Sequence, residues 1–108
     1  MNSTIRETMV RNARRVAHLG RVYFRDDDGH RGLGYVQDLS TTGCQMISQR
    51  PLQIGMELQL SLVAASEERD ISIEVAKVRW TMGDCYGMEF LGIDPLERER
   101  LRLFLKTK

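Results

Sequence analysis

Long apolar runs are missing from this sequence. No stretch approaches the roughly 18 residues of a membrane-spanning helix, and residues 1–10 are polar and mixed in charge, without the apolar centre of a secretory signal. Cysteine is scarce too: Cys44 and Cys85 stand alone, with no Cys-x-x-Cys pair and no His/Cys ligand spacing. That excludes a disulfide framework and a zinc site, and fits two reduced, packed thiols in a protein expected to be cytoplasmic. Aromatic residues number seven, too few for the stacking platform of a barrel that binds single-stranded nucleic acid. No Ser/His/Asp or Cys/His arrangement and no phosphate-cradling P-loop is present, so a binding module is expected, not an enzyme. His18 and His30 have no evident metal or nucleophile partners. Asp26-x-Asp28-x-His30 resembles the start of a calcium loop, but Arg31 stands at the sixth position and the closing glutamate is missing. No metal and no cofactor is expected.

Net charge is also small, +1 over 108 residues, which speaks against a general DNA or RNA binder. Its distribution is uneven. Residues 1–25 hold six arginines (Arg6, Arg11, Arg14, Arg15, Arg21, Arg25) against Glu7 alone, a balance of +5 that leaves −4 for the rest. Thirteen of the 16 basic residues are arginine. Solubility does not demand that bias, whereas planar, bidentate recognition of a local anion does.

The length suits one domain, and the pattern is strand-rich. Val16 to Phe24 reads as a strand ending at the turn Asp26-Asp27-Asp28-Gly29. A second strand is expected over Arg31–Leu39, with Leu33, Tyr35 and Leu39 on one parity. Residues 40–43 form a turn, Cys44–Ser48 a short strand, and Pro51 and Gly55 bracket a loop. Met56, Leu58, Leu60 and Leu62 alternate, as a half-buried strand requires. Ile71, Ile73 and Val75 take one parity, and Val78 and Trp80 the other, which predicts a bulge near Ala76. After Gly83-Asp84, Tyr86, Met88 and Phe90 alternate again. Short strands with regularly spaced turns argue for an antiparallel barrel or sandwich. The C-terminus changes period: Asp94-Pro95-Leu96-Glu97 has the form of a capping box, opening a helix over about 95–106. Leu101, Phe104 and Leu105 make its apolar stripe, and Arg98, Glu99, Arg100 and Arg102 its solvated face.

Two motifs remain. Arg11 and Arg15, four apart, can grip an anionic, guanine-bearing ligand through phosphate and guanine O6/N7. Asp38-x-Ser40-x-x-Gly43 adds a carboxylate, a hydroxyl and a glycine. Arg21/Arg25 and Arg98/Arg102 share the arginine spacing, but only Arg11 and Arg15 lie on a polar segment ahead of the first strand. This order, arginine pair, strand, turn, strand, Asp-x-Ser-x-x-Gly, resembles the PilZ domain, the bacterial receptor module for cyclic di-GMP. The resemblance covers roughly residues 10–106 and extends to Gly55, Val78-x-Trp80, Gly87-Met88-Glu89-Phe90 and the closing helix.

The resemblance implies a six-stranded antiparallel β-barrel with a C-terminal helix, preceded by a flexible segment over residues 1–9. It also implies a ligand, cyclic di-GMP, and roles in binding it. Arg11 and Arg15 contact phosphate and guanine, and Arg14 adds positive potential or a stacking surface. Asp38 accepts from guanine N1–H and N2–H₂, Ser40 bonds the base edge or a phosphate, and Gly43 gives room or a positive-φ turn. Trp80 is expected at the pocket rim. Val10, apolar where the family's residue influences stoichiometry, points to one nucleotide per site. The expected function is a non-enzymatic effector: the arginine arm closes over the nucleotide against Asp38, Ser40 and Gly43, and a downstream protein reads the altered surface. Motility or biofilm outputs belong to the family context. The rival expectation is a PilZ-like adaptor that binds a protein without nucleotide.

Overall fold

Apolar side chains at every second position commit six segments to strands, since each such segment has one face to bury. The computed structural model describes residues 20–63 and 69–106. The strands are β1 (Gly20–Arg25), β2 (Arg31–Leu39), β3 (Gly43–Ser48), β4 (Glu57–Leu62), β5 (Ile71–Met82) and β6 (Cys85–Gly92), followed by helix α1 (Pro95–Lys106). They pair antiparallel in the order β1-β2-β3-β6-β5-β4, and β4 returns to β1 to close a barrel. The expected barrel with a C-terminal helix is what forms. The expected first strand began at Val16; residues 16–19 lie outside the described residues, as does the segment 1–9.

The inward face of each strand supplies the core: Val22 and Phe24, Val36, Met46, Leu58 and Leu60, Ile71 and Ile73, Val78, Met88 and Phe90. Each buried side chain of this kind contributes about 1.5–3 kcal/mol of burial. Cys44 joins them, and burial pushes its thiol up to about 12.

Register irregularities at three places shape the barrel. The expected bulge near Ala76 is present: against β4, Leu58 pairs with Ala76 but Leu60 with Ile73, which leaves an extra residue in β5, and against β6 the register shifts between Val75 and Ala76. A second lies in β2, where Val36 pairs with Met46 but Asp38 pairs with Gln45, leaving Gln37 as the extra residue. This corrects the expectation that Leu33, Tyr35 and Leu39 share a face. Leu33 and Tyr35 are exposed while Leu39 is buried, because one extra residue inverts the alternation beyond it. A third lies in β5, where Val78 pairs with Met88 and Trp80 with Gly87. Val78 therefore points inward and Trp80 outward, although two residues apart.

Helix α1 starts as its sequence predicts, with Asp94 Oδ1 accepting from the Leu96 amide at 2.8 Å, and its buried stripe is Leu101, Phe104 and Leu105. Glu97 departs from the capping-box expectation. Its carboxylate accepts from the Ser72 amide at 2.8 Å and pairs with Arg100 at 3.0 Å and Arg69 at 3.1 Å. Arg100 in turn donates to the carbonyls of Asp70 and Arg69, so it is a tether to the start of β5 and not part of a solvated face. The geometry explains the change: the N-terminus is already capped by Asp94, and the Ser72 amide at the start of β5 lies within hydrogen-bond reach of the carboxylate. No helix among the described residues is long and apolar enough to cross a membrane.

Candidate functional site

The turn after β2 is built by Ser40. Its amide donates to the Gly43 carbonyl at 2.9 Å, and its hydroxyl accepts from the Thr42 amide at 3.2 Å while lying 3.3 Å from the Gly43 oxygen. Small hydroxyl side chains close turns in this way. In this geometry the Ser40 hydroxyl serves its own loop, and the loop fixes the end of β2 that carries Asp38.

Gly43 is constrained by packing. It pairs with Glu89 across β3 and β6, and a β-carbon there would stand 2.3 Å from the Met88 carbonyl oxygen. Its φ is not positive; the glycines that have positive φ among the described residues are Gly20, Gly29, Gly55 and Gly83. The room that the missing side chain leaves is taken by the backbone of β6.

The bulges at Gln37 and Arg79 now matter. Asp38 pairs with Gln45, Gln45 with Gly87, and Gly87 with Trp80. Directly paired residues share a face, so these four form one lateral row over β2, β3, β6 and β5. The inward row beside it is Leu39, Cys44, Met88 and Val78, all buried, which leaves the Asp38–Trp80 row on the outer surface. At roughly 4.8 Å between strands the row spans about 14 Å. Trp80 is half-buried, its indole resting on Gly87: a β-carbon at that glycine would meet Nε1 at 2.0 Å. Asp38 is half-buried at the other end. Between them Gln45, on an outward parity, is only 4% exposed. Sequence reading missed Gln45, although a polar residue between Cys44 and Met46 marks the outer face of that strand.

Arg11, Arg14 and Arg15 lie outside the described residues. What the structure fixes is where their segment joins the barrel: Gly20 opens β1 and pairs with Val36, two positions before Asp38.

The acidic turn after β1 is used internally. Asp26 Oδ1 accepts from the amides of Asp28 and His30, both at 2.9 Å, and Oδ2 lies 3.2 Å from the Arg50 guanidinium and 3.4 Å from His30 Nδ1. Although Asp26, Asp28 and His30 bring possible ligand atoms within 4.8 Å of one another, both Asp26 oxygens are engaged, one of them by a cation.

A family model described as the PilZ domain matches residues 9–107. Among solved structures, the crystal structure of the PilZ domain of CeSA from a cellulose synthesizing bacterium is similar, with a TM-score of 0.63 and 19% sequence identity, covering 86% of this chain and 96% of that one. No curated protein matches.

Proposed function

Because the chain belongs to the PilZ domain family, a family of cyclic di-GMP receptors, we propose that it is a non-enzymatic effector that binds this nucleotide on the outer face of the barrel. The observation that carries the reading is the row Asp38–Gln45–Gly87–Trp80. It offers a carboxylate to accept from a guanine edge, and an indole on which a base or ribose can rest.

The arginine segment can reach this row. From Gly20, the way to Asp38 is one inter-strand step and two residues along β2, roughly 9 Å. The five residues from Arg15 to Gly20 extend to about 17 Å at most. Arg11 and Arg15 then grip phosphate and the O6/N7 edge of guanine, and Arg14 adds positive potential. Ser40 holds the turn that presents Asp38, and Gly43 holds that turn against β6. Each good bidentate contact is worth about 1–3 kcal/mol, so a few support micromolar affinity, about −8 kcal/mol. Closure of the segment changes the surface offered to a downstream protein.

Calorimetric titration tests this. Cyclic di-GMP should bind with a stoichiometry of one, Arg15→Ala and Asp38→Ala should each weaken it at least about tenfold (~1.4 kcal/mol), and GMP or a single-stranded oligonucleotide should give little heat. No heat at roughly 100 micromolar ligand, about −5.5 kcal/mol, refutes the proposal. The second reading, a nucleotide-independent adaptor, is favoured by the exposed Tyr23, Leu33 and Tyr35 side chains. It predicts partner binding with no nucleotide heat.

A further inference from the structure

Arginine is used in two ways on this barrel. Arg50, Arg69, Arg79, Arg100 and Arg102 each hold a carboxylate within 4 Å. Arg21, Arg25, Arg31 and, on α1, Arg98 hold none among the described residues, and the first three lie together on the outer face of the β1–β2 hairpin. Arg25 stands directly opposite Arg31, a like-charge pair that works against the hairpin. Arg25 donates only to the neutral Gln59 side chain, and Arg21 lies over the Tyr23 ring, 5.9 Å from its centroid.

Between these guanidiniums the same face exposes apolar surface. Tyr23 pairs with Leu33 and Arg21 with Tyr35, and Tyr23, Leu33 and Tyr35 are 43%, 41% and 53% exposed. The Gln37 bulge turns Leu33 and Tyr35 out while Leu39 stays in. Tyrosine and arginine around an aliphatic centre are the composition of an interface core. Every strand of the closed barrel is paired, so a partner engages this face through side chains and not by adding a strand.

We propose that the outer face of the β1–β2 hairpin is a docking surface for an acidic segment of a partner protein. Its carboxylates pair with Arg21, Arg25 and Arg31, and an apolar side chain between them covers Tyr23, Leu33 and Tyr35. Arg21 and Arg25, four residues apart on one strand, set a spacing of about 13 Å between the acidic groups. A long polyanion fits less well. The positive face stops at Asp26-Asp27-Asp28 at the hairpin tip, and an aliphatic Leu33 beside Tyr23 interrupts the ring-on-ring surface that successive bases need. This docking does not depend on the nucleotide reading.

The test is ¹⁵N NMR and fluorescence anisotropy on the full chain, with a short synthetic peptide in which Leu and Phe are bracketed by glutamates. Amide shifts should gather around Tyr23, Leu33 and Tyr35. Affinity should fall at least about tenfold in the Arg25→Glu/Arg31→Glu variant and with added salt. Tyr35→Ala, which leaves the charges in place, should weaken binding as well. Thermal melts establish that both variants remain folded, and the same peptide with lysine for glutamate should not bind. The proposal is overturned if shifts are absent up to roughly millimolar peptide, if they fall away from the hairpin, or if the charge reversal changes nothing. It is equally overturned if oligothymidine or phosphatidylglycerol vesicles occupy this face while the peptide does not.

Discussion

Asp38 and Trp80 stand at opposite ends of one lateral row on the outside of the barrel, and each is delivered there by a bulge. Were Gln37 paired in a regular ladder, Asp38 would face the core and Leu39 the solvent. Were Arg79 likewise paired, Trp80 would share the inward face of Val78. Two local irregularities thus decide which groups a ligand can meet.

Deleting Gln37 therefore tests the architecture of the row. Removing the extra residue leaves Val36 opposite Met46 and Asp38 opposite Gln45 in a regular ladder, so Asp38 stays on the outer face and Leu39 in the core. The variant should melt within about 8 °C of the parent and should still bind cyclic di-GMP. A larger drop, or loss of binding, would show that the bulge itself, and not only the register it sets, places Asp38.

Gly43→Ala should destabilise the barrel before any ligand is added. Its β-carbon would stand 2.3 Å from the Met88 carbonyl oxygen, and backbone in a paired strand cannot yield as a side-chain tip does. A loss of about 1–3 kcal/mol is expected from such overpacking, read as an earlier midpoint in urea. An unchanged midpoint with lost nucleotide binding would instead make Gly43 a ligand-contact residue alone.

Glu97 gives the fold an acid sensitivity. Burial pushes its carboxyl up, but the Ser72 amide and the Arg100 and Arg69 guanidiniums outweigh burial and hold it below the ordinary 4.5. A carboxyl whose value is lowered by folding stabilises the native state above its unfolded value, and that stabilisation is lost as pH falls through the folded one. Glu97→Gln should cost roughly 1.5–3 kcal/mol near neutral pH. The gap between the two proteins should narrow as pH falls below about 4.5, because protonated Glu97 resembles glutamine. Urea midpoints across pH 3–7 measure it.

The two thiols should separate by reactivity. Cys44 is buried with its thiol pushed up to about 12, so almost no thiolate exists at pH 8. Cys85 is partly exposed, its sulfur 3.7 Å from Gln37 Oε1. Alkylation with iodoacetamide followed by peptide mass spectrometry should label Cys85 in the native protein, and Cys44 only in urea.

Much of the fold was legible because strands announce themselves by alternation. Arg31–Leu39 and the helix from Pro95 to Lys106 match their expected bounds, and the phase change around Ala76 gave away one bulge. The other two were hidden. In β2, Leu33, Tyr35 and Leu39 keep a regular spacing on paper, and nothing in Gln37 itself says that it is left over when Asp38 meets Gln45. Aromatic parity misled for the same reason: Tyr35 and Trp80 look inward-facing until the register is known. Glu97 illustrates a different limit, since its sequence position fits a capping box but its partners Ser72 and Arg69 belong to another element.

The sequence by itself determined the strand and helix segments, the turns, and the pairing of an arginine-rich start with an Asp-x-Ser-x-x-Gly turn, because these follow from local periodicity and residue chemistry. Only the tertiary structure decided that Asp38, Gln45, Gly87 and Trp80 share one outer row, and that Arg21, Arg25 and Arg31 flank exposed Tyr23, Leu33 and Tyr35. Those relations depend on strand register, and register is set by pairing between distant segments.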